Sequence, residues 1–329
     1  MSRAILLLAH GTPNVLGEMA EYLSKITGGH LLPQEVVEEL QHRYSQIGLG
    51  ETPGQELPHL TKWSVSQGDA LRETLHGTPV YIAMRNWSPY IADVVAQMRS
   101  DGITEIRAIC LAPQNSRTSV GLYRRALMAA AEGINVEFVA AWADHPLLIS
   151  AFAERLEPAW TAACAEIGRK APILFTAHSV PCRTIMTGEA SIAGARPGTP
   201  RQDTPDPYAV EAKRTADLVA QRLAHIGLTE RDWYFAFQSQ GVSGGPWIGP
   251  TVENTLKALK EEGHIGVVIQ PIGFLCDHVE ILYDIDIAFQ STAAGLGLKL
   301  WRAESLNDSP TLTRALAEIA TAPAPAENE

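Results

Sequence analysis

No stretch of this 329-residue chain is apolar for anything near the ~20 residues that a membrane-spanning helix needs; runs such as AILLLA at 4–9 are among the longest. That first run is also too short for a secretory signal and leads straight into a turn sequence, so the expected location is the cytoplasm. Basic residues are in deficit, with 26 Lys and Arg against 37 Asp and Glu and a formal charge of −11. Nucleic acid and anionic membrane both select a basic face, so neither is expected as the main partner. An anionic small molecule held by a few local cations stays open. Cysteine is scarce as well: Cys110, Cys164, Cys182 and Cys276 lie far apart, with no pair spaced for zinc or an iron–sulfur cluster. Cys110 and Cys164 read as buried thiols of a reduced protein, whereas Cys182 and Cys276 sit beside motifs taken up below.

What the chain does have is alternation. Apolar, β-branched runs at 4–9, 79–84, 105–112, 136–141, 172–177, 232–238, 265–271 and 297–301 predict strands. Amphipathic segments lie between them, at 33–46, 62–75, 88–100, 119–132, 146–167, 207–224 and 250–262. In PYIADVVAQMRSDG, Tyr90, Ile91, Val94, Val95 and Met98 share one helical stripe and Gly102 closes the helix. Strands alternating with helices of this length predict an α/β protein with parallel sheets, buried on both faces. With 46% apolar and 19% charged residues, the length allows about two domains of ~150 residues each. Only the closing TAPAPAENE reads as a solvated tail, taken as 323–329.

One pattern occurs twice. LLLAHGTP at 6–13 and LFTAHSVP at 174–181 each run an apolar strand into Ala-His, a small residue, one variable residue and proline. Both histidines, His10 and His178, fall where the first strand of a half ends, and open parallel sheets bind ligands outside their strands' carboxyl ends. Two further loops, FQSQGVSGGPWIGP at 237–250 and PIGFLCDHVEILYDID at 271–286, follow later strands of the second half and should converge on the same edge.

These loops carry chemistry-bearing residues with two readings each. Asp277 and Glu280 fit a helix capping box. Yet Glu280 and Asp284 share a helical face without a Lys or Arg between them, a mildly unfavourable spacing of like charges that suits a divalent cation or a proton relay. His178 is either a satisfied core histidine or a base and metal ligand. Imidazole titrates near pH ~6.5 and binds borderline metals such as Fe²⁺. Trp87, Tyr90, Trp247 and Phe274 near loop edges are core packing or stacking surfaces for a flat ligand. Arg43 and Arg117 are carboxylate grips or ordinary ion-pair partners.

Taken together, TAHSVP, DPYAVEAKRTADLV, WYFAFQSQGVSGGPWIGP and PIGFLCDHVEILYDID, with LLAHGTP, ELQHRYSQIG and DGITEIRAICLAPQNSRTSVGLY, span nearly the whole chain in order. In these pieces the sequence resembles the ferrochelatases, enzymes of haem biosynthesis that insert ferrous iron into a porphyrin, and leans toward the bacterial coproporphyrin III branch over protoporphyrin IX. The resemblance implies the chelatase fold: two similar Rossmann-like domains with parallel four-stranded sheets flanked by helices and a porphyrin cleft between them. The first domain would cover 1–145 and the second 146–304, with a C-terminal helix at about 305–322 returning to the first.

By the same resemblance His178, Glu280 and Asp284 are catalytic, and His178 and Glu280 face the metal. Arg43, Tyr44, Thr52 and Tyr123 contact porphyrin, as does His10, which stands where that branch often has tyrosine. Porphyrin and ferrous iron are the implied partners, iron being a substrate. No tightly bound cofactor or iron–sulfur cluster is expected, and a monomer is.

Several departures from the pattern stand out. KITGGHLLP replaces an Arg-rich turn that grips propionates, leaving Lys25 and His30. Ala288 ends the acidic file, and Cys276 stands where serine is usual. The stretch 187–204 lengthens the loop after His178, long enough to cover the cleft. The readings beside a ferrochelatase are a related chelatase for another tetrapyrrole or metal, and a porphyrin- or haem-binding paralogue without turnover.

Overall fold

A computed structural model describes residues 2–185, 206–241 and 246–323. The expected loop at 187–204 and all but the first residue of the expected tail lie outside the described residues.

All eight apolar runs form strands, and every pairing between them is parallel. In the first half β1 (Arg3–Ala9), β2 (Val80–Met84), β3 (Glu105–Cys110) and β4 (Asn135–Val139) take the order β2-β1-β3-β4. In the second half β5 (Ile173–His178), β6 (Trp233–Gln238), β7 (Gly266–Pro271) and β8 (Lys299–Arg302) repeat it as β6-β5-β7-β8. The first strand of each half therefore lies inside its sheet. β1 is buried from Ala4 to Ala9 and β5 from Ile173 to Ala177, which is why both read as unbroken apolar runs. His10 and His178 follow at equivalent strand ends.

The helices of the first half are α1 (Met19–Ile26), α2 (Gln34–Gln46), α3 (His59–Thr74), α4 (Ile91–Ser100) and α5 (Val120–Ala130). Then come α6 (Pro146–Ile167), α7 (Cys182–Ile185), α8 (Tyr208–Arg222), α9 (Val252–Glu261), α10 (Val279–Leu282), α11 (Gln290–Gly295) and α12 (Pro310–Thr321). A π-helical turn, Asp284–Phe289, joins α10 to α11. Three ends are visibly specified. Pro146 opens α6 behind His145, Gly168 closes it at φ +66°, and the hydroxyl of Ser309 accepts from Leu312 N–H at the start of α12.

A single apolar cluster joins the halves. It contains Ile5, Leu7, Leu71, Val80 and Ile109 from the first half, Ile173, Phe175 and Val268 from the second, Phe152 and Leu156 of α6, and Leu312 and Leu316 of α12. The last helix packs against both α3 and α6. Buried polar ties add to this: Gln114 Nε2 donates to Ile272 O at 3.0 Å and to Thr215 Oγ1 at 3.2 Å, and Asn115 N–H donates to Glu211 at 2.6 Å. Phe152 is wholly buried at the centre of this junction. Phe152→Ala is expected to lower the unfolding free energy by about 3–5 kcal/mol, seen in urea melts as one cooperative transition moved to a lower midpoint. A loss below about 1 kcal/mol would mean that the site collapses around the gap and the junction does not depend on the ring.

Three segments differ from the sequence reading. α1 is not among the amphipathic segments read from the sequence; Met19, Tyr22, Leu23 and Ile26 do have helical spacing, but they follow the turn-like GTPNVLGE. Asp277 does not cap a helix. It accepts from Ser305 Oγ at 2.7 Å and Asn307 Nδ2 at 2.9 Å and pairs with Arg302 at 3.4 Å, tying the loop after β7 to the chain beyond β8. The π-turn, closed by Ala288 N–H donating to Tyr283 O at 2.9 Å, takes more residues per turn than the α-helix assumed for the acidic file.

Candidate active site

The carboxyl ends of both sheets open into one cavity of about 1090 Å³, a size that suits a large planar ligand. Its roof is the helical pair α1 and α2, which has its own apolar cluster of Met19, Tyr22, Leu23, Val37, Tyr44 and Trp87, with Val279 of the second half packed against it.

On the second-half wall the backbone brings three loop ends together. Gly273 passes so close to β5 that an added Cβ would lie 3.0 Å from the Cα and Cβ of Ala177, which seats the loop after β7 against His178. Gln238 Nε2, at the end of β6, donates to Glu280 O at 2.7 Å and fixes the start of α10. Next to it Ser239, at φ +61°, turns its hydroxyl onto Asp284. Tyr208 OH donates to His178 O at 3.0 Å.

His178 Nδ1–H donates to Ser179 O, which leaves Nε2 facing Glu280 Oε1 at 3.3 Å. The second oxygen of Glu280 faces His278 Nε2 at 3.5 Å, and His278 Nδ1–H donates to Cys276 O at 2.9 Å. One carboxylate thus lies between two imidazoles, each oriented by a backbone carbonyl. Burial by itself would raise Glu280, yet the facing His178, followed by His278, holds its carboxyl far below the usual range. Burial likewise would lower His178, but the charge and hydrogen bond of Glu280 win, and its pKa is raised above 6.5. Asp284 behaves oppositely. Burial and the nearby charge of Glu280 outweigh the Ser239 hydrogen bond and Arg43, and push it up to about 6. The wall therefore offers an ion pair beside an acid that titrates near neutrality.

On the first-half wall His10 lines the cavity with both ring nitrogens engaged. Nε2 accepts from Asn86 Nδ2 at 2.9 Å, while Nδ1–H meets Gly11 O and Tyr22 OH, each at 3.2 Å. Burial, aided by the positive charge of Arg85, lowers its pKa to about 4, so the ring is neutral. Gly11, at φ +89°, leaves no room for a side chain, because a Cβ would lie 2.8 Å from Trp87 N. Tyr44 is buried and hydrogen-bonded to Thr12 and Tyr22, and burial pushes it up to about 12. Tyr123 is buried, Thr52 lies at the exposed rim, and both line the cavity. Arg43 reaches across from α2 to Asp284 at 3.8 Å and to the ring of Tyr283 at 5.3 Å.

The structure thus brings His178, Glu280, Asp284, His10, Arg43, Tyr44, Thr52 and Tyr123 to one cavity. Trp247 and Phe274 also line it, each ring 6.4 Å from His178. Trp87 is packing instead, 5% exposed with its ring edge against Tyr22. Tyr90 carries Lys25 at 5.0 Å outside the lining, and Arg117 is outside it too. Ala288 does not reach the cavity, and Asp286 is turned away onto Arg302 at 2.6 Å. Cys276 lines the cavity as a neutral thiol, raised by burial. Sequence reasoning missed His278, although its position two residues before Glu280 was a usable signal; in the structure it sits in extended backbone at φ −161°. Among the described residues no three His, Cys, Asp or Glu side chains are grouped to hold a metal ion, and no helix is long and apolar enough to cross a membrane.

Comparison with known proteins gives the context. The sequence model of a family described as Ferrochelatase matches residues 2–323. A ferrochelatase of Acidobacterium capsulatum is 56% identical over 320 residues, covering 96% of this chain and 93% of that one. A coproporphyrin III ferrochelatase of Geobacillus kaustophilus is 30% identical over 327 residues, covering 96% and 94%. Among solved structures, SirB from Bacillus subtilis with Fe³⁺ superposes with a TM-score of 0.53 at 13% identity, covering 98% of this chain and 96% of that one, a likeness of fold.

Proposed function

This chain belongs to the ferrochelatase family, enzymes that insert ferrous iron into a porphyrin, and on that premise we propose that it acts on coproporphyrin III, with His178, Glu280 and Asp284 moving the protons that iron displaces. The observation that carries the residue assignment is the 3.3 Å approach of His178 Nε2 to Glu280 Oε1 inside the shared cavity.

The reaction exchanges two pyrrole N–H protons for one Fe²⁺. In a flat macrocycle the nitrogen lone pairs lie in the ring plane, so the ring has to be held bent for a metal to enter from one face. Binding energy along the macrocycle supplies such distortion, ~1–5 kcal/mol in general. His178 in its neutral form, the tautomer fixed by Ser179 O, accepts a pyrrole proton at Nε2. Glu280 stays ionised between its two histidines and stabilises the imidazolium that results. Asp284, titrating near 6, passes protons on toward the rim. Glu280 is the donor placed to meet iron and strip its water, and His178 Nε2 can join it only before taking the proton. On the other wall His10 serves as a neutral contact to the macrocycle, because its metal-binding lone pair is taken up by Asn86.

Support for coproporphyrin III comes from the likeness of DGITEIRAICLAP to that branch and from relatives that carry that name. The test is an anaerobic assay of Fe²⁺ insertion into coproporphyrin III and protoporphyrin IX side by side, read from the absorption bands. A kcat/KM at least about 10-fold higher for coproporphyrin is expected from the charged hydrogen bonds that its extra carboxylates add. The reverse preference would overturn the substrate assignment, and no insertion into either would overturn the function.

A further inference from the structure

Of the two arginines that line the cavity among the described residues, one is already occupied. Arg43 pairs with Glu39 at 2.9 Å and with Asp284 at 3.8 Å, its guanidinium lying over Tyr283. Arg85 is different. Among the described residues it has no carboxylate within ion-pair distance; its companion is the ring of Tyr123 at 5.9 Å, and its Nε is sealed from solvent without a hydrogen-bond partner. Burial draws its pKa below the ordinary guanidinium value, although a guanidinium remains charged throughout the accessible pH range.

A buried cation without a counter-ion is unfavourable, and structures retain one where a ligand completes it. The position is also firmly held. Arg85 follows directly on β2, with its N–H donating to Ala9 O at 3.0 Å and the next N–H, of Asn86, donating to His10 O at 3.0 Å. The side chain is thereby fixed at the first-half strand ends, beside His10 and Tyr123. Among the described residues no lysine lines the cavity. Lys25 is spent on Glu21 at 3.2 Å and on the ring of Tyr90, outside the cavity.

We propose that Arg85 is a specificity-determining carboxylate site, taking one propionate-type carboxylate of the bound tetrapyrrole through its guanidinium fork. The inference rests on the tetrapyrrole reading for the class of ligand, and it names the wall that recognises the ligand's charge. Arg43 then remains free to hold the roof helix α2 near Asp284, and the first-half wall orients the macrocycle by the acid it binds.

The experiment measures binding without metal, by quenching of porphyrin fluorescence, for the wild type, Arg85→Gln and Arg85→Lys. The probes are coproporphyrin III and its tetramethyl ester, in matched detergent. Loss of one buried charge-assisted hydrogen-bonded pair should weaken coproporphyrin binding by Arg85→Gln about 10- to 100-fold, with ester binding unchanged. Arg85→Lys, which keeps the charge but not the fork, should show a smaller loss on the acid and none on the ester, and it carries the test if the Gln variant melts early. Acid binding equal to wild type in both variants would overturn the proposal. So would equal losses on acid and ester, which would make Arg85 a shaper of the cavity and not a reader of charge. Because no iron is present, failure of the proposed function shows separately, as wild-type protein that binds porphyrin and inserts no metal.

Discussion

Replacing His178 with alanine is expected to reduce iron insertion by about 10²–10⁴-fold, the usual contribution of a positioned acid or base, while porphyrin binding without metal stays within about threefold of wild type. The expectation comes from position. Nδ1 is committed to Ser179 O and Nε2 faces both the cavity and Glu280, so in its neutral form the ring presents a basic nitrogen to the cavity. His278 cannot stand in, since it lies behind the other carboxylate oxygen and is only 13% exposed. Anaerobic turnover and fluorescence quenching, measured on the same preparation, check both halves of the prediction. Normal turnover by the alanine variant would end the assignment, and a parallel loss of porphyrin binding would make His178 a structural residue.

The second large effect is expected for Glu280→Gln. The amide keeps the shape and removes the charge that opposes burial at His178. The His178 pKa, raised above 6.5 chiefly by this carboxylate, should therefore fall, because the Ser179 carbonyl and Asp284 alone are left to oppose desolvation of the imidazolium. Ring-carbon NMR titration reads the shift directly. Turnover should drop by about 10²–10⁴-fold as well. Whatever activity is left should gain its rising limb at lower pH than wild type, since neutral imidazole is reached earlier. Residues that act as one unit lose their function once, so the double variant His178→Ala/Glu280→Gln should be no slower than the worse single variant. Multiplying losses would show two independent roles.

The pair also sets a pH window for stability. The raised pKa of His178 means that its share is complete below 6.5 and is lost as pH climbs through the raised value. The depressed pKa of Glu280 means that its share holds above the ordinary carboxylate range and is lost on strong acidification. Both side chains are about one-third exposed, 33% and 28%, so solvent screening keeps this contribution small.

Much of this was legible in the sequence, for identifiable reasons. Parallel strands buried on both faces leave unbroken apolar runs, so all eight strands could be placed to within a few residues. Strand ends are where such sheets bind ligands, so the two Ala-His motifs marked the cavity. What stayed hidden depends on geometry that the 3.6-residue period does not encode. The π-turn re-aims Asp286 toward Arg302 and takes Ala288 out of the file. Asp277 looked like a cap because its partners, Ser305 and Asn307, lie far along the chain. Trp87 could be read as packing or as a stacking surface, and only the cluster it forms with Met19, Tyr22 and Leu23 of α1 settles it as packing. Arg85 gave no signal, because a lone arginine after a strand becomes informative only when its surroundings show what it lacks.

The apolar cluster common to both sheets bears on how a macrocycle is deformed. A ring resists bending with a restoring force, and two lobes joined by a soft hinge would yield to it before the ring did. Here the lobes are fused behind the cavity by Phe152, Leu156, Leu312 and Leu316 and by the buried Gln114 ties. The roof helices stand apart from this spine, with a separate apolar cluster that meets the far wall through Val279 and Arg43. Elastic load from a distorted ring would be borne by the fused spine, and ligand entry and exit would be left to the lighter roof.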